Sequence, residues 1–280
     1  MKPAAFRYER PHDVAEVLDL LAENGDEAKI LAGGQSLVPM MNFRLARPEV
    51  IIDIGAVPGF GEVAMYGEHL KIGTRVRHVD LERPRFKGPL SSLLAVAARH
   101  VGHIPIRLRG TFGGSIAHAD PAAEWCLLAR TLDADVAVAS ARGERVITAA
   151  DLFQSAFITS IDDDEMLTEV RLPWLDADWK TGFSEFSRRA GDFAVVAVAS
   201  AVRLADGRIA EARIGAAGVG ATPVRLTGAE SALLGQPLGT DAIEAASEVA
   251  GDEIDPRSDI HGSAEYRRDL VRALARRALS

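Results

Sequence analysis

The stretch LAGGQS, residues Leu31 to Ser36, follows one short apolar run and precedes another. A second glycine pair stands in RGTFGGSIAHADPAAE, Arg109 to Glu124. A glycine pair between a strand and a helix permits positive φ and keeps side chains out of a ligand's way. Successive N–H groups in such a loop can point into one concavity and hold an anion. Ser36 flanks the first pair with a hydroxyl, and Thr111 and Ser115 flank the second. Taken singly, such pairs are most often tight turns. Neither loop carries G-x-G-x-x-G or G-K-[ST], which counts against a Rossmann fingerprint and removes the lysine of a P-loop. Two hydroxyl-flanked loops that meet would suit a diphosphate.

Working outward, HDVAEVLDLLAENG (12–25) has Val14, Val17, Leu18 and Leu21 at helical spacing, with Asp13 at its start and Gly25 at its end. KILA (29–32), VIIDI (50–54) and LKIGT (70–74) read as strands, and TRVRHVDLERP (74–84) as helical. SSLLAVAARHVG (91–102) and AAEWCLLARTL (122–132) read as helices. ADVAVAS and ERVIT form a strand pair around Arg142-Gly143, and LTEVRLP (167–173) is a further strand. WLDADWKTG (174–182) reads as a linker, followed by strands in FSEFSRR, AVVAVASAVRL and GRIAEARIGAAGV, the last two joined at Asp206-Gly207. Helical segments follow near 225–234 and 240–250, and the chain closes on a helix with a stripe of Tyr266, Leu270, Leu274 and Ala278, its arginines elsewhere. The result is an α+β chain with a boundary near residue 175.

The length of 280 residues suits about two domains. A net charge of −8 argues against a nucleic-acid groove. The single cysteine, Cys126, allows neither a disulfide framework nor an all-cysteine iron–sulfur cluster within the chain. No run reaches the ~20 apolar residues of a membrane span, and MKPAAFRYERPHDV lacks a signal-peptide core. A cytoplasmic protein is expected.

KILAGGQSLVPMMNFRLARP and RGTFGGSIAHADPAAE resemble the two FAD motifs of the FAD-binding medium subunit of molybdenum hydroxylases, the aerobic carbon monoxide dehydrogenase and xanthine dehydrogenase family. FSRRAGDFAVVAVA and GSAEYRRDLVRAL are similar to its C-terminal signatures, so the resemblance spans the chain. It implies a vanillyl-alcohol-oxidase-type FAD domain over 1–175, in two parts (about 1–55 and 56–175). A small C-terminal α+β domain over 176–280, with a three-stranded antiparallel sheet and helices, would follow.

Carried over, the first loop gives cofactor contacts at Lys29, Leu31, Ala32, Gly33, Gly34, Gln35, Ser36 and Leu37. The second gives Gly110, Thr111, Gly113, Gly114 and Ser115, both loops acting through backbone amides around the pyrophosphate. Ala117, His118 and Glu124 match positions after the second loop, with the acidic side chain near the ribose or adenine end. Val101 and Leu167 match further contacts, Leu167 an apolar one, and Asp192 and Phe193 match a segment reaching back toward the flavin. Relatives read GHVQIRNRGTFGG where this chain has GHIPIRLRGTFGG; Pro105 and Leu108 remove a backbone donor and a polar side chain.

Several residues carry plainer readings. His118-x-Asp120 is too small a set for a metal. Cys126 suits a core, and Asp162 to Glu165, lacking EF-hand spacing, suits a solvated turn. Trp174 and Trp179 suit packing or an interface.

The resemblance implies an oxidoreductase subunit with no catalytic side chain of its own. Electrons would come from a small [2Fe–2S] subunit, fed by a large molybdenum subunit, and leave through FAD for an outside acceptor. The assembly would be a dimer of heterotrimers, without nucleic acid. The alternatives are a self-sufficient FAD oxidase or reductase, which needs its own acid–base residues, and a non-catalytic nucleotide-binding module.

Overall fold

The computed structural model describes residues 2–280. Its first layer is a parallel three-stranded sheet of order β1-β3-β2, built from β1 (Arg7–Glu9), β2 (Ala28–Leu31) and β3 (Val50–Asp53). Parallel neighbours need crossovers, and α1 (Val14–Asn24) and α2 (Leu37–Asn42) provide them. Asp13 caps α1 by accepting from Glu16 N–H, and Gly25 ends it at φ +51°. Val17 and Leu21 of α1 pack on Val50, Ile52 and Ile54, with Met166 closing the cluster. LAGGQS is the turn from β2 to α2, so the sheet delivers it at a strand's C-terminal end.

The second layer is an antiparallel five-stranded sheet, β4-β5-β10-β6-β7. Its strands are β4 (Val63–Tyr66), β5 (His69–Gly73), β6 (Asp135–Ser140), β7 (Gly143–Thr148) and β10 (Met166–Pro173). Six helices lie within this span: α3 (His78–Leu81), α4 (Pro89–His100), α5 (Ile104–Arg107), α6 (Phe112–His118), α7 (Glu124–Thr131) and α8 (Ala149–Leu152). A small hairpin, β8 (Phe153–Ser155) and β9 (Ile158–Thr159), completes it. The segment expected as a helix over 74–84 is helical only at α3. Residues 74–77 are drawn out because Thr74 and Val76 carbonyls accept from Gly113 and Phe112.

The third sheet, β11-β12-β13-β14, comprises β11 (Trp179–Phe186), β12 (Val196–Ala205), β13 (Arg208–Ala217) and β14 (Val224–Arg225). The three expected strands gain a fourth because Val224–Arg225 pairs with Ala216–Gly215. The linker expected over 174–182 is shorter, since Trp179 is buried and opens β11. Alternation along β12 serves two cores. Ala197, Ala199 and Ala201 join the main core, where β12 meets α7, while Val196, Val198 and Val202 join the second core, where β12 meets α11 (Ala264–Leu279) and α9 (Thr227–Leu233) and α10 (Thr240–Asp252) pack around it.

The face α11 buries is rotated from the expected stripe. It runs through Arg267, Val271, Leu274 and Ala278, whereas Tyr266 is exposed. The arginine is drawn in by carbonyls: its Nη1 donates to Val195 O at 2.6 Å and Gly218 O at 2.7 Å, its Nη2 to Asp259 at 2.7 Å. Among the described residues no helix is long and apolar enough to cross a membrane.

Candidate functional site

The two glycine loops meet. Gly33 rests on the Arg109–Gly110 backbone, and a Cβ there would stand 2.6 Å from Gly110 Cα. Gly113 is pressed on Thr74 in the same way, with a Cβ position 2.6 Å from Thr74 Cα. The loops thus join as one wall of a cleft of about 490 Å³. Nineteen of the twenty residues carried over by resemblance line that cleft, Leu31 being the exception. The Leu31 side chain turns back toward Gly34.

The loops contribute differently. Gly34 adopts φ +71°, a backbone that glycine accepts without strain. Among the described residues, the N–H groups of Gly33, Gly34, Gln35, Ser36 and Leu37 donate to no protein atom, and the Ser36 hydroxyl caps nothing. That run is an amide cradle. In the second stretch the amides are engaged. Gly110 donates to Ile106 O, Phe112 to Val76 O, Gly113 to Thr74 O, Gly114 to Thr111 Oγ1 and Ser115 to Thr111 O. TFGGS is therefore not an open glycine loop but the first turns of α6, capped by Thr111. Its amides serve the fold, while the Thr111 N–H donates to no protein atom among the described residues and Thr111 and Ser115 both line the cleft.

Glu124, at the start of α7 and 9% exposed, also lines the cleft. Burial pushes its carboxyl up to about 7, and Asp120 adds to the shift. His118 is half-buried, its pKa lowered by burial, with its ring 5.0 Å from Phe157. Leu167 of β10 is buried beneath the cleft, and Val101 closes it at the end of α4. Asp192 and Phe193 reach it from the segment between β11 and β12, where Gly191 (φ +84°) packs its Cα against the His103 ring. Lys29 lies at the edge and pairs with Asp163 at 3.5 Å.

One lining residue has no sequence signal. His78 is buried, and its Nδ1 accepts from Trp125 Nε1 at 2.9 Å. Burial, helped by Arg107, lowers its pKa to about 4, so it is neutral with the proton on Nε2, beside Gly110. Its partner lies 47 positions away, a separation no local pattern reveals. Glu165, expected in a solvated turn, is buried instead. It takes two 2.6 Å hydrogen bonds from Arg145 and lines the cleft with Asp162 and Asp163. Cys126 is fully buried beside Ser115 O, as a core thiol. No group of three or more His, Cys, Asp or Glu among the described residues is placed to hold a metal.

Two family models cover the chain: the FAD binding domain in molybdopterin dehydrogenase over residues 4–175, and the CO dehydrogenase flavoprotein C-terminal domain over 181–280. The chain is 42% identical to the nicotine 6-hydroxylase medium subunit of Paenarthrobacter nicotinovorans, covering 100% of this chain and 98% of that protein. It superposes on the reconstituted CO dehydrogenase from Oligotropha carboxidovorans with a TM-score of 0.95 at 31% identity, covering 100% and 98% of the two chains. It superposes on quinoline 2-oxidoreductase from Pseudomonas putida 86 with a TM-score of 0.91 at 34% identity, covering 100% and 97%. The chain belongs to the FAD-binding medium subunits of the CO dehydrogenase-like molybdenum hydroxylases, an oxidoreductase family.

Proposed function

We propose that this chain is the electron-transfer subunit of a cytoplasmic molybdenum hydroxylase. Electrons reach its FAD from [2Fe–2S] clusters of a small partner and leave for an external acceptor. A large subunit with the molybdenum cofactor oxidises the substrate, and the assembly is a dimer of heterotrimers. The observation that carries this reading is the row of unengaged amides from Gly33 to Leu37, opening into one cleft with the second loop behind it.

A diphosphate needs many hydrogen-bond donors. The Gly33–Leu37 amides supply the donors, and the Thr111 amide and the Ser36 and Ser115 hydroxyls add three more. Glu124 lies in the same cleft, and its carboxyl, which exchanges a proton near neutral pH, would accept from sugar hydroxyls. His78 stays neutral, and its backbone N–H donates to Gly110 O at 3.1 Å, which ties it to the second loop. Phe193 and Asp192 cover one side from the C-terminal half. Bound FAD supplies the redox chemistry, and the protein binds and orients it.

The test is to isolate the chain with its native partners, release the flavin and identify the accompanying proteins. FAD together with an iron–sulfur and a molybdenum subunit is the expected result. Colourless protein overturns the flavin assignment, and substrate turnover by the isolated chain overturns the subunit assignment in favour of a self-sufficient oxidase.

A further inference from the structure

Glu185 is a buried acid outside the lining of the cleft. It stands on β11 opposite Ala197, on the face where Phe183 and Ala199 meet the main core. Its side chain is 3% exposed, and its Oε2 has no hydrogen-bond partner among the described residues. A carboxylate so placed is costly in its charged form. Its other oxygen, Oε1, lies 3.8 Å from Nδ1 of His100, at the end of α4, which packs on β11. The His100 ring leans on Phe183 at 5.1 Å between centroids, and its side chain is 39% exposed. The pair thus joins a group open to solvent with one shut off from it.

The two do not form a salt bridge. A charged pair would raise the imidazole and lower the carboxyl. Here burial lowers His100, while burial, with Glu124 adding to it, raises Glu185 to about 8. At pH 7 the proton sits on the carboxyl and both groups are neutral. Glu124 is the one charged group among the described residues whose field acts on Glu185. Glu124 titrates first, near 7, and is already negative when Glu185 begins to lose its proton. Asp120 acts on Glu124 and not on Glu185, nor do Arg188, Arg189 or Asp192 just beyond β11. The neighbouring Ala197 and Ala199 of β12 are uncharged, and α11 covers the opposite face, where Gly182 lies on Ala278.

We propose that Glu185, buried beside His100 and within the field of Glu124, is a proton-compensating residue that binds a proton from solvent when negative charge enters the cleft and releases it when that charge leaves. The inference rests on the electron-transfer reading above. Electrons come from the iron–sulfur donor, and the proton comes from water through the His100 imidazole to the Glu185 carboxylate. The O–H bond is the one that forms there, and nothing in this chain is oxidised. The steps reverse when the electrons pass to the acceptor. A buried setting is what lets Glu185 respond to charge it does not touch, because the field is weakly screened there. A diphosphate brings negative charge of its own, so cofactor binding draws the same proton.

The first test needs no turnover. FAD is added to the full flavin-free chain in weak buffer near pH 8, where Glu185 is half ionised, and proton uptake is followed with an indicator dye. The unaltered chain should take up a fraction of a proton per FAD bound. Glu185→Gln, which copies the neutral carboxyl, should take up about half as much, with Glu124 supplying the rest. Glu185→Asp should restore part of the loss, and His100→Ala should slow the uptake without changing its extent. The infrared carbonyl band of protonated carboxyl groups should grow on FAD binding, and its absence in the unaltered chain overturns the inference without any variant. In the assembled complex, the flavin midpoint potential should fall less steeply with pH in Glu185→Gln than in the unaltered protein. Equal proton uptake in both, with FAD bound to both, overturns the role of Glu185 and leaves the electron-transfer reading intact. A chain that binds no FAD, or that receives no electrons from an iron–sulfur partner, overturns both.

Discussion

Gly33 and Gly110 touch backbone to backbone, so that a Cβ on Gly33 would stand 2.6 Å from Gly110 Cα and collide with the Arg109 carbonyl oxygen. The absence of a side chain at position 33 serves loop–loop contact rather than room for a ligand. Gly33→Ala therefore has to displace the second loop by about 1 Å in a close-packed wall. Flavin content per protein, read from absorbance, should fall severalfold while the chain stays folded. Gly61→Ala, where a Cβ meets nothing within 4 Å, should leave it unchanged.

Thr111 fixes the second loop through its hydroxyl, which accepts from Gly114 N–H at 3.1 Å as the cap of α6. Thr111→Val keeps the shape and removes the acceptor, at a cost of about 1 kcal/mol. FAD affinity measured by fluorescence titration should weaken with it, and Thr111→Ser should restore both. Equal losses in the valine and serine variants would show that the methyl group, not the cap, matters.

His78 holds the buried Trp125 indole by accepting from its Nε1 at 2.9 Å. His78→Leu leaves that donor unsatisfied and should cost about 1–3 kcal/mol in denaturant unfolding. The effect has a pH signature. With a folded pKa lowered to about 4, below that of a free imidazole, the neutral ring's contribution is present above about 6.5 and is lost as pH falls through 4. The stability difference between His78→Leu and the unaltered chain should shrink over that window.

Glu124 runs in the opposite direction. Its folded pKa is raised to about 7, so the folded chain holds the proton that the unfolded chain releases near 4.5. Its stability contribution is full below 4.5 and is lost as pH rises through 7, amounting to about 3 kcal/mol for a shift of this size. In the flavin-free chain Glu124→Gln should flatten that part of the stability–pH curve. Glu185, raised to about 8 by burial and by Glu124, has the same sign and keeps its own share of the slope. A variant with the unaltered pH dependence would place the Glu124 carboxyl in solvent.

Local signals carried the parts of this molecule that depend on neighbours in sequence. The α1 periodicity, its Asp13 and Gly25 ends and the β12–β13 hairpin at Asp206-Gly207 were legible because each depends on a few adjacent residues. Residues 74–77 are extended, not helical, because their hydrogen-bond partners are Phe112 and Gly113, far along the chain. TFGGS, expected as an open glycine loop, is instead the first turns of α6, with the Phe112 and Gly113 amides taken up by the Val76 and Thr74 carbonyls. Glu165, expected in a solvated turn, and Arg267, expected off the apolar stripe of the last helix, are both buried. Each is buried by partners from another element: Arg145 of β7 for Glu165, and the Val195 and Gly218 carbonyls for Arg267.

Arg267 ties the C-terminal helix to the segment that covers the cleft. Its guanidinium bonds Val195 O, which ends the stretch carrying Asp192 and Phe193, and Gly218 O; the Gly218 N–H in turn donates to Pro121 O beside the second loop. Arg267→Met keeps the apolar stem and leaves both carbonyls without the donor, each charge-assisted bond being worth about 1.5–3 kcal/mol. The first consequence falls on the 187–194 segment, which has no regular structure of its own. Arg188 and Arg189 lie in it, exposed, so limited trypsin digestion reads its mobility directly. Cleavage there should accelerate severalfold in Arg267→Met before any change in global unfolding, and saturating FAD should slow it again. If cleavage instead tracks global unfolding in denaturant, Arg267 serves only the packing of α11 and does not position the segment over the cleft.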